Sequence, residues 1–508
     1  MRYRFSALLL IAGLTVFHLW YIASGRIDLV PDEAHYWEWS RRLDWSYYSK
    51  GPMVAYLIAV TTRLGGSTEF FVRLPAVLLA LGIQIILYSL TRALFRSERA
   101  AFLALLIAAC LPLFSAGSVL MTIDAPLMFF WAVAIVAFWK AIQARDDRGG
   151  GKSWWIFLGL ALGLGLLSKY TMALFVPCAL LYRALSSEKS VQLGWRGSPV
   201  AVLIAAVLFT PVLVWNAQHQ WVSLRHVVGQ AGLSGDAQSN FFQFLGSQIG
   251  VVSPFLFLAL TAAMFRCWRL RTTEMREQRL FLVMFSAPVL LFFLSWSVFS
   301  KVEANWAAPG YLAAVIALAA WWDNILGEKR STPKRSALAL YSLILLPGAF
   351  LVLVAHFPAA LNLAGIDLPA RLDPTRRLHG WKDLGSAIGV VLKGSENRDL
   401  FLLSDTYQIA GEMAFYVPGQ PQTYNVNLGR RMNQYDLWGG IEQLRNRDGL
   451  FVTSGDFNAP PAIEKACKAL RKLKTVTPIH RGRPAQVFSI FECVGYRGVA
   501  EDERKVPY

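Results

Sequence analysis

The chain is dominated by apolar runs of roughly 18 to 22 residues, about the length of helix that crosses the core of a bilayer. Of its 508 residues, 55% are hydrophobic and 16% are charged, whereas soluble domains carry about 25% charged residues. The sequence therefore predicts a polytopic α-helical membrane protein with about 11 transmembrane helices. The runs lie near residues 5–23, 75–91, 100–118, 125–143, 154–167, 170–183, 199–216, 249–266, 280–299, 307–325 and 337–356.

The first run follows Arg2 and Arg4, as the apolar part of a secretory signal would. The small residues Ala23-Ser24-Gly25 would suit cleavage. However, the run is long for a cleaved signal, and many apolar runs come after it. We expect an uncleaved signal anchor.

Lysine and arginine are unevenly distributed among the segments that connect these runs. They are concentrated near residues 2–4, 92–99, 145–152, 183–196, 266–279 and 329–335, and nearly absent near 119–124 and 301–306. Because positive loops stay in the cytoplasm, this pattern predicts a cytoplasmic N-terminus. The first loop (25–74), the loop at 217–248 and the tail beyond 356 are then external. The same asymmetry explains the net charge of +17, so we predict no nucleic-acid partner.

The tail is more polar and alternates between strand-like and helix-like segments. Strands are predicted at 400–403, 450–452 and 486–493, and helices at 408–416 and 462–473. This alternation predicts a small α/β domain over residues 357–508, placed over the external mouth of the membrane domain. Cys467 and Cys493 are expected to lie close together in it. Two free thiols are favoured, with a disulfide as the alternative if the tail is extracytoplasmic.

The first external loop contains an acidic pair, several aromatic residues and then a lone lysine. It reads Asp32-Glu33, His35 and Tyr36, and later Ser49-Lys50-Gly51-Pro52. A carboxylate can take a proton from an attacking hydroxyl, and a lysine can stabilise the charge of a phosphate. The alternative is that the loop only anchors the chain at the membrane surface through its Trp and Tyr rings.

Further polar residues are expected on the same external side, where their cost near the bilayer suggests a function. They are Asp124, Lys169, Arg225, His226, Lys301, Glu303 and Asn305. Simpler explanations stay open for three of them. Asp124 precedes Pro126 and would suit a helix N-cap. Lys169 could extend its amine to the interface, and Glu303 could form a surface ion pair with Lys301.

These motifs, in this order, resemble those of the GT-C glycosyltransferases. The branch is that of protein O-mannosyltransferases and lipid A aminoarabinose transferases, similar to glycosyltransferase family 39. The resemblance covers residues 1–356 and is weaker in the tail. It is carried by Asp32-Glu33 with Tyr36, Ser49-Lys50-Gly51-Pro52, Thr122-Ile123-Asp124-Ala125-Pro126, Leu167-Ser168-Lys169-Tyr170, Trp215-Asn216 with His219 and Trp221, and Ser300-Lys301 with Asn305-Trp306.

Two departures from the aminoarabinose transferases leave the sugar, the acceptor and any bound metal open. Those enzymes tend to have a lysine before two prolines, where this chain has Lys50-Gly51-Pro52. They also tend to have His-Tyr where this chain has Glu303-Ala304-Asn305-Trp306 after Lys301.

The resemblance implies a GT-C transmembrane catalytic domain over residues 1–356, in a bacterial inner membrane, with the α/β domain in the periplasm. It implies transfer of a single sugar from a polyprenyl-phosphate donor of the undecaprenyl-phosphate type. The acceptor would be extracytoplasmic, such as lipid A, a cell-envelope glycan or a protein. No cofactor is required for this chemistry, and no metal ligands are identified.

The resemblance also implies roles for individual residues. Asp32 is expected to act as general base, with inversion at the anomeric carbon. Glu33 would assist it by orienting the loop or binding substrate, and Lys50 would contact the donor phosphate. The other residues expected to bind substrate in the same cavity are His35, Tyr36, Asp124, Lys169, Arg225, Lys301, Glu303 and Asn305.

Two other functions stay open at this stage. An oligosaccharide ligase or oligosaccharyltransferase of related architecture would take a preassembled glycan from a diphosphate carrier. A transporter or flippase would be expected to hold charges near mid-span and to show repeated halves or broken helices. Because the charges here are predicted on one surface and no halves repeat, the enzyme is favoured.

Overall fold

The computed structural model describes residues 2–144, 150–188, 195–230, 239–270, 275–327, 334–363, 365, 374–395 and 398–499. Its N-terminal part is helical. The membrane part contains the helices Arg2–Ala23, Glu69–Phe95, Glu98–Ala109, Pro112–Gly117, Asp124–Gln143, Gly150–Ser168, Phe175–Leu185, Ser198–Gln218, Phe241–Val252, Pro254–Arg269, Arg276–Met284, Ala287–Trp296, Ala308–Gly327 and Lys334–His356. Three further helices lie in the first loop and after residue 218: Pro31–Arg41, Met53–Gly65 and Val222–Gln230.

The chain is a multi-pass membrane protein, but the predicted number of about 11 spans is not confirmed. Among the described residues, seven helices are long and apolar enough to cross a membrane, or eight if one bent pair counts as a span. That pair, Phe241–Val252 and Pro254–Arg269, is bent by 99° at Ser253, whose φ is 80°. The apolar run near 100–118 is divided at Pro112, because proline cannot donate to the preceding turn of a helix.

The membrane helices pack around the helix Ala308–Gly327. Most of its side chains are buried, including Ala313, Ala314, Ala317 and Ala319, each at most 1% exposed. Small residues allow helices in a membrane to approach closely, since apolar burial alone gives no advantage over lipid. This packing provides the rigid frame on which the connecting loops are held.

The C-terminal domain is built on a five-stranded sheet in the order β2-β1-β3-β7-β4. Its strands are β1 (Phe401–Ser404), β2 (Thr423–Asn425), β3 (Gly449–Ser454), β4 (Cys467–Val476) and β7 (Phe488–Tyr496), and β5 (Ile479–His480) pairs with β6 (Arg483–Pro484). β1 is parallel to β2 and β3, whereas β7 is antiparallel to β3 and β4. The helices are Ala360–Leu363, Trp381–Lys393, Tyr407–Tyr416, Gln434–Trp438 and Pro461–Ala466.

The predicted helix at 462–473 is wrong in its second half. The helix ends at Ala466, and β4 follows from Cys467 to Val476. Leu470 and Leu473 are spaced like one face of a helix, but pairing with β7 at the sheet edge determines the conformation. Cys467 and Cys493 are joined by a disulfide across this pair, with Cα atoms 5.5 Å apart. They are close, as expected, but the favoured expectation of free thiols is wrong.

The C-terminal domain is docked on the first loop (residues 25–74). The helix Tyr407–Tyr416 (the domain helix) packs against the helix Pro31–Arg41 (the loop helix). The Leu29 amide donates to the Tyr416 hydroxyl at 2.7 Å, and the Trp381 amide donates to Asp28 Oδ2 at 2.9 Å. The rings of Trp37 and Phe415 meet edge to face, with centroids 4.9 Å apart. The contact therefore combines buried aromatic packing with two polar anchors at adjacent residues just before the loop helix.

Candidate active site

A polar cavity of about 480 Å³ lies where the loop helix, the membrane helices and the C-terminal domain meet. The membrane part contributes Asp32, His35, Tyr36, Trp39, Tyr48, Ser49, Lys50, Thr122, Ile123, Asp124, Lys169, His226, Gln230, Glu303, Asn305 and Trp306. The C-terminal domain contributes Tyr407, Arg431, Met432, Asn433 and Gln434. Residues that are far apart in sequence thus form one site.

Asp32 lies in the first turn of the loop helix, directly after Pro31. Proline suits this position because its missing N–H has no helical partner there, and the helix dipole favours a carboxylate. The Tyr407 hydroxyl donates to Asp32 Oδ1 at 3.1 Å. Burial raises the pKa of Asp32, while the Tyr407 hydrogen bond and the charge of Lys50 oppose this shift. The result is a half-buried carboxylate that is a stronger base than a fully solvated one.

Glu33 does not line this cavity, although the sequence predicts it as a catalytic partner of Asp32. It is fully buried and forms an ion pair with Arg73 at 2.7 Å. It also accepts from the Val30 amide at 3.0 Å and the Met121 amide at 2.8 Å. These bonds tie the loop helix to the membrane helices, which favours a structural role for Glu33 over a catalytic one.

Asp124 is the centre of a polar cluster at the cavity wall. Its Oδ1 pairs with Lys169 Nζ at 2.7 Å, and its Oδ2 accepts from Asn305 Nδ2 at 2.6 Å. Lys169 Nζ also lies 5.6 Å from the centroid of the Trp306 ring. Asp124 is the first residue of its helix and makes no capping bond there, while Lys169 is buried. The N-cap and interface explanations therefore do not describe these residues.

Lys50 enters the cavity beside this cluster because of the glycine that follows it. A Cβ at Gly51 would lie 2.1 Å from the carbonyl oxygen of Leu167, so only glycine allows the two segments to meet. Burial and the charge of Lys169 lower the pKa of Lys50 to about 8. Among the described residues no carboxylate lies within ion-pair distance of Lys50. Its cation is therefore available to an anionic ligand.

His35 and Tyr36 complete the wall next to Asp32. The Trp39 indole N–H donates to His35 Nε2 at 3.1 Å, and the His35 ring stacks on Tyr435. Burial lowers the pKa of His35 to about 3, so its ring is neutral at physiological pH. His35 thus contributes shape and hydrogen bonding without adding positive charge.

Besides Glu33, two residues predicted for the site are not brought to it. Lys301 is exposed and pairs with Glu303 at 2.9 Å outside the cavity, although Glu303 itself lies at the rim. Arg225 is exposed on the helix Val222–Gln230, whereas its neighbour His226 lines the cavity. Adjacent residues of a helix point about 100° apart, so His226 faces the cavity while Arg225 points away from it.

A second, apolar cavity of about 240 Å³ adjoins the polar one. The two share Thr122, Asp124 and Asn305. Its remaining lining is mostly apolar and includes Ala76, Leu79, Ile83, Leu87, Leu105 and Leu113. A charged chamber and an apolar chamber thus meet at one wall.

Comparison with known proteins agrees with this architecture. A family model described as dolichyl-phosphate-mannose-protein mannosyltransferase matches residues 49–215. The lipid A galacturonosyltransferase RgtD of Rhizobium johnstonii is 33% identical over 62% of this chain and 65% of its own. The structure of ArnT from Cupriavidus metallidurans bound to undecaprenyl phosphate covers 95% of this chain and 97% of its own, with a TM-score of 0.65 and 16% identity. The chain therefore has the GT-C fold, and its sequence is similar to these glycosyltransferases.

The GT-C fold is thus as the sequence motifs predict. A further relative is the undecaprenyl phosphate-alpha-4-amino-4-deoxy-L-arabinose arabinosyl transferase of Serratia proteamaculans. It is 26% identical over 61% of this chain and 58% of its own. The aligned regions therefore span less than two thirds of the length of these curated relatives.

The contribution of the C-terminal domain to this GT-C site is the part that sequence reasoning missed. Tyr407 and Arg431 carry no motif, and the only signal is the expected position of the tail over the mouth of the membrane domain. Metal ligands are also lacking in the described part of the chain, since no group of three or more His, Cys, Asp or Glu side chains there could hold a metal ion.

Proposed function

We propose that this protein is a membrane glycosyltransferase that moves a single sugar from a polyprenyl-phosphate donor to an acceptor outside the cytoplasm. The observation that carries the proposal is the meeting of the two cavities at Asp124 and Asn305. A lipid-linked sugar phosphate has the matching form, with an apolar chain joined to a polar, anionic head. The names of the relatives support this donor class, since one of them acts with undecaprenyl phosphate-linked aminoarabinose.

In this proposal Lys50 binds the donor phosphate. It lines the polar cavity without a carboxylate partner among the described residues, whereas the charge of Lys169 is already compensated by Asp124. The phosphate gains negative charge as its bond to the sugar breaks. A fixed cation in a site of low dielectric stabilises that charge more in the transition state than in the ground state.

Asp32 then acts as the general base. The acceptor hydroxyl gives its proton to the carboxylate while its oxygen attacks the anomeric carbon, and the bond from that carbon to the phosphate oxygen breaks. The electron pair leaves with the lipid phosphate. A single displacement of this kind inverts the anomeric centre. A well-placed base of this type contributes a factor of about 10² to 10⁴ in rate.

We propose lipid A as the acceptor, on the strength of the relative that is a lipid A galacturonosyltransferase. A glycan or protein acceptor is the alternative.

The proposal also places the N-terminus in the cytoplasm and the C-terminal domain in the periplasm, from the distribution of lysine and arginine. A reporter that is active only outside the cytoplasm should be active when fused after Tyr508 and silent when fused at Arg276. The reverse pattern would contradict the orientation.

The test of the activity is transfer by purified protein in lipid nanodiscs. Undecaprenyl phosphate carrying galacturonic acid or aminoarabinose would be supplied with lipid A, and the products would be separated and weighed by mass spectrometry. We expect lipid A heavier by one sugar residue, and release of undecaprenyl phosphate. If sugar is transferred only from a preassembled glycan on a diphosphate carrier, the protein is an oligosaccharide ligase instead.

A further inference from the structure

The domain helix crosses the loop helix at unusually short range. A Cβ at Gly411 would lie 3.2 Å from the backbone nitrogen of His35, tighter than side chains normally allow. The helix is started by Thr406, whose hydroxyl accepts from the Ile409 amide at 3.4 Å. Cap and crossing point together fix where Tyr407, the first residue of the domain helix, projects toward the loop helix.

The Tyr407 side chain reaches the proposed base itself. Its ring lies against that of His35, with centroids 5.0 Å apart, and its hydroxyl donates to Asp32 Oδ1 at 3.1 Å. Among the described residues, the Tyr407 hydroxyl is the one side-chain group that donates a hydrogen bond to Asp32. The second oxygen, Oδ2, is left for another donor inside the cavity.

We propose that Tyr407 is a positioning residue for Asp32, supplied to the membrane active site by the C-terminal domain. This inference rests on the proposed function, in which Asp32 is the base. By holding Oδ1, the tyrosine limits rotation of the carboxylate and leaves Oδ2 to accept the proton of the acceptor hydroxyl. The C-terminal domain is then a working part of the active site as well as its cover.

The hydrogen bond also acts on the ionisation of Asp32, because the ionised carboxylate accepts it more strongly than the protonated acid does. The other groups that act on Asp32 are Lys50, which favours its ionised form, and Glu33 and Asp124, which oppose it along with burial. Removing the Tyr407 hydroxyl leaves burial and the two carboxylates opposed by Lys50 alone. The pKa of Asp32 then rises, and less of the base is ionised on the acid side of the pH profile.

The test compares Tyr407→Phe with the wild type in the full-length protein, with Tyr424→Phe as matched control. Tyr424 lies on β2 of the same domain and outside the cavity. For Tyr407→Phe we expect the acid limb of the kcat/KM profile to move up by about one pH unit, with a loss of about tenfold on that limb. Binding of undecaprenyl phosphate should stay within twofold of the wild type, and Tyr424→Phe should match the wild type throughout.

A second measurement covers the case in which Tyr407→Phe fails to fold. Fluorotyrosine at position 407 keeps the ring and makes the hydroxyl a stronger donor, so the acid limb should move down in pH. An acid limb that does not move in the folded variants overturns the inference.

The variant Asp32→Asn separates a failure of this inference from a failure of the proposed function. If it is inactive while the Tyr407 variants keep the wild-type profile, only the role of Tyr407 is wrong. If it is fully active, the base is wrong as well.

Discussion

Replacing Glu33 with glutamine is expected to destabilise the protein rather than to remove a catalytic group. Glu33 is fully buried, and Arg73 is 2% exposed. The change leaves the Arg73 guanidinium buried without its counter-charge, and it weakens the bonds from Val30 and Met121. Breaking a buried ion pair from one side typically costs about 3 to 5 kcal/mol. Most of that cost arises because the positive charge of Arg73 stays buried without a counter-charge.

The matched control is Glu303→Gln, because the pair of Glu303 with Lys301 is 54% and 67% exposed at its two side chains. Exposed pairs contribute about 0 to 1 kcal/mol, so this variant should unfold like the wild type. The double variant Glu33→Gln, Arg73→Met should recover part of the loss, since it removes the orphaned charge as well.

The assay is thermal unfolding of each purified variant in the same detergent. The measured quantity is the fraction of protein that remains monodisperse at each temperature. Glu33→Gln should lose several degrees and should lose transfer activity in step with the folded fraction. Wild-type thermal stability together with lost activity would refute the structural assignment, and Glu33 would return to the list of catalytic candidates.

Other variants test separate parts of the account. Lys50→Ala should weaken binding of undecaprenyl phosphate and also lower kcat, whereas an effect on neither would exclude its role at the phosphate. Burial, with the charges of Asp28 and Glu33, raises the pKa of Glu412 well above its ordinary value, and neither of its oxygens has a hydrogen-bond partner among the described residues. The Glu412 carboxyl group is therefore protonated in the folded protein. Its contribution to stability falls as the pH rises above about 4.5. Glu412→Gln should raise the unfolding temperature at pH 8 and change it little at pH 4; equal shifts at both would contradict this. Thiol counting on the unfolded, unreduced protein should find three free cysteines, and five would exclude the disulfide.

The parts of the fold that depend on local pattern could be predicted from the sequence. Apolar runs long enough for a bilayer predict membrane helices, and short apolar segments predict strands such as Phe401–Ser404. Where tertiary context decides, prediction fails. The segment at 467–473 has helical spacing but pairs with β7. The run near 249–266 is bent at Ser253, whose positive φ of 80° is not indicated by the apolar pattern.

The same distinction applies to the candidate site. Motifs with a chemical meaning, such as Asp32 and Lys50, could be found because they stand out in a loop between apolar runs. The residues that lie beside them in the cavity could not be predicted in this way. Which of two adjacent residues faces a cavity depends on helix rotation, as with Arg225 and His226. The contribution of Tyr407 depends on a domain contact that involves residues 375 positions apart, and no local pattern encodes it.

The most direct test of the central claim is the activity of Asp32→Asn in the purified transfer assay. Asparagine keeps the size of the side chain but cannot take the proton of the acceptor hydroxyl. Asp383→Asn, on the exposed side of the helix Trp381–Lys393, is the matched control. We predict that kcat falls by a factor of about 10² to 10⁴ for Asp32→Asn, with unchanged unfolding temperature and unchanged binding of undecaprenyl phosphate. Turnover equal to that of Asp383→Asn would contradict the account, and the base should then be sought at Asp124.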